Sequence, residues 1–532
     1  MATDRLFPVR GRTGNGHLRH ACRLLAVLGT FGGAHLLTAA EPKHVVLVVW
    51  DGMRPDFATE QYAPTLARLA RAGVRFRNHH SVYATATDVN GAALATGRDP
   101  QEDGIFANSE YHPAINPRQP VDTGDPETIR RGDEVSGGKY LTAPTLGEIL
   151  HQAGKKGVYA GTKSVALLFD RKNAWTVVPM KGKPLTVFAG APLPPAARDE
   201  MTKRLGPFVD DPSAPAAERN RFTTRALTDY LWRDGITDFS LLWLSEPDLA
   251  EHNFSPGSPE ALAAIKSADD NLAALLAALD EKGARASTDV LVVSDHGFST
   301  IRRSIDVVAL LTQAGFHAGK EFSDKPTHGD ILVVGNGGTL LFYVRDHDPA
   351  ATDRLVSWLQ HRDFTGVLFT RSKMEGTFPL RTAQIDLPDA PDVVMAFRWA
   401  DEKNRFGVPG LIDADWNRKP GQGTHATLSP FDVHNLFIAA GPDFKAGFED
   451  VAPTSNKDIM PAILSLLHLP CFSVHFEEAL RLSKTDAPAK IDRTTMSATR
   501  QWEDGQWRQE LTFSHSDRGA YLDEGNGSFT AK

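Results

Sequence analysis

The 532-residue sequence predicts a doubly wound α/β fold, a mostly parallel sheet with helices on both faces, plus an inserted subdomain. Three observations carry this expectation. His44-Val-Val-Leu-Val-Val-Trp50 is apolar without a polar interruption after its first residue, as a parallel strand buried on both faces requires. Strand-like and helix-like patterns then alternate up to about residue 300. Beyond 300 the alternation breaks, and it resumes only near residue 421.

Taken in order, helical spacing marks 64–73 and 145–154, and a short apolar run marks a strand at 157–161. A helix follows at 222–232, a strand at 239–244, a long Ala/Leu-rich helix at 258–283 and a strand at 289–294. Residues 41–300 thus read as the first part of the core. Within 301–420, Asn336-Gly337-Gly338 joins two apolar runs as a hairpin turn does, and 351–359 has the spacing of a short helix. This stretch reads as an inserted α+β subdomain. The core returns over 421–490, with a strand at 433–440 and a helix at 456–467. Residues 491–532 are polar with interspersed aromatics, the pattern of a small antiparallel β appendage.

Composition narrows the function. Fifty-eight basic against 66 acidic residues leave a net charge of −8, which argues against a nucleic-acid duplex as partner. Forty-four glycines and 34 prolines make the chain loop-rich without the repetition of a fibrous or low-complexity protein. Residues 1–40 have the pattern of a signal peptide. Arg5, Arg10, Arg12, Arg19 and Arg23 precede the apolar stretch 24–37, and Thr38-Ala39-Ala40 offers a small-residue cleavage site. That stretch falls short of the ~20 residues a spanning helix needs, so no stable membrane insertion is expected. The competing reading is a weakly apolar tail. With Cys22 lost in the leader, only Cys471 remains and no internal disulfide can form, which suits a bacterial periplasm or extracellular space. The sequence leaves the oligomeric state open.

The chemistry-bearing residues gather where strands stop. Asp51 follows the first strand; Glu246-Pro247-Asp248 follows the strand at 239–244, with His252 four residues later; Asp295-His296 follows the strand at 289–294; and Gly423-Thr424-His425 comes much further on. Ligands of open α/β sheets bind at the carboxyl ends of parallel strands. Three Asp and three His form a mixed donor set suited to zinc and similar cations, enough for two ions with positions left for substrate. Taken singly, each residue has a plainer reading. An Asp after a strand caps a helix, His252 shares a helix face with Asp248, and His425 is a loop residue.

Together and in order, Trp50-Asp51-Gly-Met-Arg-Pro-Asp56, Glu246-Pro-Asp248-Leu-Ala-Glu-His252, Ser294-Asp295-His296-Gly297 and Gly423-Thr-His425 resemble the metal motifs of the alkaline phosphatase superfamily. The likeness is to its type I phosphodiesterase/nucleotide pyrophosphatase family. It covers most of 44–470 and implies an alkaline phosphatase-like fold with two divalent metal ions, zinc by family habit. Asp248, His252 and His425 would hold one; Asp51, Asp295 and His296 would hold the other, which also contacts the nucleophile. Thr85-Ala-Thr87-Asp-Val-Asn90-Gly matches the family's nucleophile segment, with Thr87 as nucleophile and metal contact and Asn90 beside the substrate. Gly104-Ile-Phe-Ala-Asn108 matches the segment whose Asn donates to a nonbridging phosphoryl oxygen. The implied reaction cleaves a phosphodiester or pyrophosphate bond of a small phosphorylated molecule through a phosphothreonine. Without the metal motifs, Thr87 is an ordinary helix cap and Asn108 a turn residue.

Departures bear on the substrate. Relatives follow the nucleophile with Phe-Pro, and the Phe stacks on a nucleobase; here the pair is Asp88-Val89, which sets a carboxylate beside an anionic substrate. Glu251 stands in place of the usual Gly before the metal His. Gly161-Thr-Lys163-Ser-Val165 follows a strand where some monoesterase relatives carry Lys-x-Arg, so Lys163 is either a substrate-binding residue or a surface lysine. A phosphate monoesterase or phosphonoacetate-type hydrolase is therefore the alternative, and a noncatalytic zinc-binding recognition protein is the alternative of another class. A sulfatase is disfavoured, because Thr87-Asp-Val-Asn lacks the Cys/Ser-x-Pro-x-Arg context that sulfatase chemistry needs.

Overall fold

A computed structural model describes residues 44–171, 186–188, 191–193, 195–209, 215–470, 490–516 and 519–532. The proposed leader, with Cys22, lies outside these residues, as does Cys471. No helix among the described residues is long and apolar enough to cross a membrane.

The core is a nine-stranded sheet whose middle is parallel. His44–Trp50 lies between Thr288–Val293 and Phe239–Leu244 and runs parallel to both. Gly157–Gly161 continues the parallel set beyond Phe239–Leu244. Val45 through Trp50 are fully buried, because one face of the strand packs with Leu241, Leu291 and the helix Ile459–Leu466, and the other with Leu66, Leu272 and Leu275. Helices thus cover both faces, as the unbroken apolar strand demands. Phe437–Ala440 extends the sheet on the other side, antiparallel to Thr288–Val293.

Element ends show where local signals were complete. The helix Pro64–Ala72 starts on a proline at its first turn. Leu146–Gln152 starts on a capping box formed by Thr145 and Glu148. Pro259–Glu281 is capped by Ser258. Two expectations shift. The helix expected at 222–232 begins earlier, as Ala216–Arg225, and continues as a wider π-type turn, Ala226–Leu231; its polar first turn hid the start. The strand expected from 433 begins at Phe437, because Ser429 caps a short helix, Pro430–Val433, ahead of it.

Between residues 299 and 424 the chain builds two further sheets. One has four strands, Trp399–Lys403, Pro409–Ala414, Ser299–Ser304 and Gly423–Thr424 in spatial order. The other has six, including the hairpin Ile331–Gly335 to Thr339–Val344, turned at Gly337 with φ +71. The four-stranded sheet matters to the site because the pairing of Ser299 with Thr424 delivers His425 beside His296. The C-terminal segments Asp492–Gln501, Gly505–Ser516 and Gly519–Ala531 form a three-stranded antiparallel sheet.

Candidate active site

Four neighbouring parallel strands end side by side, and each releases a polar residue at its carboxyl end: Lys163, Asp248, Asp51 and the pair Asp295-His296. Sheet order, rather than sequence order, makes them neighbours. Asp248 also opens the helix Asp248–Phe254, which puts His252 one turn further on. His252 Nε2 lies 3.2 Å from Asp248 Oδ1, and His425 Nε2 lies 3.7 Å from the same oxygen. His296 Nε2 lies 3.4 Å from Asp295 Oδ2 and 3.7 Å from Asp51 Oδ1. The rings of His296 and His425 stack with centroids 3.6 Å apart.

All three imidazoles are oriented in one way. The Nδ1–H of His252 donates to the Gly423 carbonyl, that of His296 to the Gly297 carbonyl and that of His425 to the Thr85 carbonyl. A carbonyl can only accept, so each neutral ring turns its Nε2 lone pair into the cluster. Burial holds all three rings below the ordinary histidine range, which keeps them neutral. Burial and the nearby Asp295 charge push Asp51 up to about 8, and burial pushes Asp295 up to about 7. Asp248 goes the other way: burial opposes its charge, but the Lys163 ammonium beside it holds it well below the usual range. Among the described residues, Asp248 Oδ1 and Asp295 Oδ2 are buried without a hydrogen-bond partner. Inward lone pairs and orphaned carboxylate oxygens are the donor set that divalent cations satisfy.

Thr87 is the first residue of the helix Thr87–Thr96, and its Oγ1 lies 3.2 Å from His296 Nε2. Ala86 at the cap offers no side chain to the helix amides. Asn108 accepts from the Asp88 amide through Oδ1 at 2.8 Å, which leaves its Nδ2 to donate elsewhere. Lys163 is no surface residue: its Nζ lies 2.9 Å from Asp51 Oδ1 and 2.6 Å from Asp248 Oδ2. Val165, where relatives carry a second basic residue, is buried against Gly91 of the Thr87 helix, so the position belongs to the core.

Asn90 is engaged by its own chain neighbours. It is fully buried, donates to the Val82 and Ala86 carbonyls, and accepts from the Val82 amide and from Asn456 Nδ2. It holds the chain that leads into Thr87. Burial and the neighbouring Asp122 raise the Asp88 carboxyl well above the usual range, which weakens the charge expected beside an anionic substrate. Glu251 is buried with both carboxyl oxygens unpartnered among the described residues, and burial raises its carboxyl well above the usual range as well.

Sequence reasoning passed over two supporting residues. Trp243 Nε1 donates to Asp51 Oδ2 at 2.8 Å, and Asn456 Nδ2 donates to the Asp295 carbonyl at 2.7 Å. Trp243 sits in an apolar strand and reads as core; the one available signal was its place on the strand that delivers Asp248. Arg418, half-buried in the loop ahead of His425, adds positive charge toward Asp248 and His252.

Residues 45–399 match the family model for type I phosphodiesterase / nucleotide pyrophosphatase. Among curated proteins, the chain is 24% identical over 266 residues to venom phosphodiesterase 2 of Crotalus adamanteus, covering 49% of this chain and 27% of the relative. It therefore spans about a quarter of the length of that relative. It is 20% identical over 470 residues to human ectonucleotide pyrophosphatase/phosphodiesterase family member 7, covering 84% of this chain and 88% of the relative. Among solved structures it resembles murine ectonucleotide pyrophosphatase/phosphodiesterase 5, an inactive T72A form in complex with AMP. That match has a TM-score of 0.56 at 17% identity and covers 81% of this chain and 96% of the other, a likeness of fold.

Proposed function

The chain belongs to the type I phosphodiesterase/nucleotide pyrophosphatase family, and from that premise we propose that it is an exported phosphoesterase cleaving phosphodiester or pyrophosphate bonds through a covalent phosphothreonine. The observation that carries the reading is the Thr87 hydroxyl, set on the first turn of a helix and 3.2 Å from an imidazole nitrogen that also faces two carboxylates. Asp248, His252 and His425 would hold one divalent ion, taken as Zn2+, and Asp51, Asp295 and His296 the other; bound there, they would supply Lewis-acid stabilisation and ease deprotonation of the hydroxyl.

The chain's own groups do the rest. Thr87 Oγ1 gives its proton to solvent and attacks phosphorus; the bond to the leaving oxygen breaks as the new one forms, and the leaving oxygen takes up a proton from water. The helix N-terminus favours the anionic phosphoryl group, and the Asn108 amide donates to a nonbridging oxygen. Lys163 places an ammonium among the carboxylates that face the phosphoryl position. Water then attacks phosphorus, the bond to Thr87 Oγ1 breaks, and the hydroxyl is restored. Two in-line displacements give net retention of configuration at phosphorus. Export rests on the leader pattern of residues 1–40, and the venom and ecto-enzyme names of the relatives agree with it.

A monoesterase or phosphonate hydrolase is the second reading, favoured by Lys163 in the cluster and by Asp88-Val89 where relatives stack a base. Hydrolysis of bis-p-nitrophenyl phosphate against p-nitrophenyl phosphate by zinc-loaded protein and Thr87→Ala separates the readings. Diester preference lost in the variant supports the proposal. Monoester preference moves the protein to the second reading. Full activity in Thr87→Ala, or inversion with a chiral substrate, overturns the covalent step.

A further inference from the structure

A second histidine cluster shares no residue with the site above. His80, His434 and Asp523 each offer one ligand atom within 4.8 Å of the others. The three come from distant parts of the chain. His80 ends the short strand His79–His80, His434 bridges to it across an antiparallel contact, and Asp523 lies in the last strand, Gly519–Ala531. The register between the last two strands shifts where Asp523 falls: Thr512 pairs with Glu524 and Phe513 with Leu522, leaving Asp523 as the extra residue of a bulge. Such bulges re-aim a side chain, and this one sends the Asp523 carboxylate to His80, with Oδ1 2.7 Å from Nε2.

His80 Nδ1 is 2.9 Å from the Thr454 carbonyl and must donate to it, as in all three active-site histidines. Its Nε2 is thereby the ring atom that faces the carboxylate oxygen, and either a proton or a metal ion can hold those two atoms together. His434 Nε2 lies 3.7 Å from the same oxygen, with its ring 4.6 Å from that of His80. A second imidazole aimed at one carboxylate oxygen is more than a single proton requires. Asp523 Oδ2 is already satisfied by Ser514 Oγ at 2.7 Å and Arg493 Nε at 2.9 Å, so Oδ1 is the oxygen left for a ligand. His80 and Asp523 are buried, whereas the His434 side chain is 28% exposed, which gives an ion a path in and a place for water.

We propose that His80, His434 and Asp523 form a further divalent-cation site, of a chemistry that suits Zn2+, which fastens the C-terminal sheet to the α/β core. A tetrahedral ion with bonds of about 2.0–2.2 Å sets its ligand atoms roughly 3.4 Å apart. His434 already stands near that spacing, and His80 has to withdraw by less than an ångström. The Arg493 charge on the other carboxylate oxygen weakens the site, so it fills at higher free zinc than the catalytic cluster. Its role is structural, because closing the contact between the last strand and the His79–His80 segment ties the chain's end to the strands around the site.

The test compares full-length wild type with His434→Ala, both dialysed against the same saturating free Zn2+, by metal analysis of protein against dialysate and by anomalous diffraction at the zinc edge. The expected result is one zinc equivalent fewer in the variant, a wild-type anomalous peak among the three side chains, and a zinc-dependent rise in Tm that the variant loses. Equal zinc content, or no peak at the cluster in zinc-soaked wild-type crystals, overturns the proposal and leaves a proton-held His80–Asp523 pair. If His434→Ala fails to fold, the wild-type anomalous map alone decides. Because the readout is local to these three residues, it stands whatever the activity measurements on Thr87 give.

Discussion

Trp243→Phe tests whether Asp51 is held for metal from behind. The indole Nε1 donates to Asp51 Oδ2 at 2.8 Å, while Oδ1 faces His296 and Lys163. Phenylalanine keeps most of the ring that packs edge-on against Phe169 in the core and removes only the donor. A hydrogen bond to a charged acceptor contributes about 1.5–3 kcal/mol. If that energy orients Asp51 toward the ion, the zinc dissociation constant rises roughly 10–100-fold, which is also the usual cost of deleting a group that orients a metal ligand. The assay is competition with a chromophoric chelator, read alongside activity against free zinc. Saturating zinc should restore most of kcat, since the side chain positions a ligand and does not touch substrate. An unchanged zinc affinity in a folded Trp243→Phe protein would refute the reasoning, because Asp51 would then be either held by other contacts or not a ligand.

Four further outcomes are expected. Asn108→Ala should lower kcat by roughly 10²–10³-fold, the cost of one lost oxyanion donor, with little change in KM for the diester. Chelation should abolish turnover and added Zn2+ should restore it; full activity after exhaustive chelation would exclude a metal-dependent reaction. Burial pushes the His79 imidazole down to about 3 from an ordinary 6.5. The unfolded chain therefore binds a proton below pH 6.5 that the folded chain refuses, and stability falls as pH drops toward 3. At pH 5 the loss from this group is about 2 kcal/mol relative to pH 7, measurable by urea denaturation and absent in His79→Gln. Gly91→Ala would put a methyl 2.2 Å from Val165 Cγ2. Overpacking there should cost about 1–3 kcal/mol by denaturation and shift the helix that carries Thr87, lowering activity as well.

Which parts were legible in the sequence follows from the range of the interactions involved. The strand His44–Trp50, the capped helices at Thr145 and Ser258, and the hairpin at Gly337 are written in contiguous residues, because apolar periodicity, capping and turn geometry act within a few positions. Asp51, Asp248, Asp295 and His296 were legible as a group because each follows a strand within four residues and a parallel sheet aligns such ends. Their separation along the chain carries no information about distance, however. Only the strand order, with Gly157–Gly161, Phe239–Leu244, His44–Trp50 and Thr288–Val293 side by side, brings Lys163 between Asp51 and Asp248. The upward shifts of the Asp88 and Glu251 carboxyls were likewise invisible, since they depend on how completely distant segments exclude water from them. The same holds for Asn90, whose amide meets Val82, Ala86 and Asn456 only once the loop has closed, and for Trp243, which local pattern marks as core and tertiary packing turns toward Asp51. Sequence by itself determined the residue types and the strand ends that present them. Which of those groups meet, and in what charge state, was decided by the packing of the sheet, because Coulomb and desolvation energies depend on distance and burial in space rather than on position along the chain.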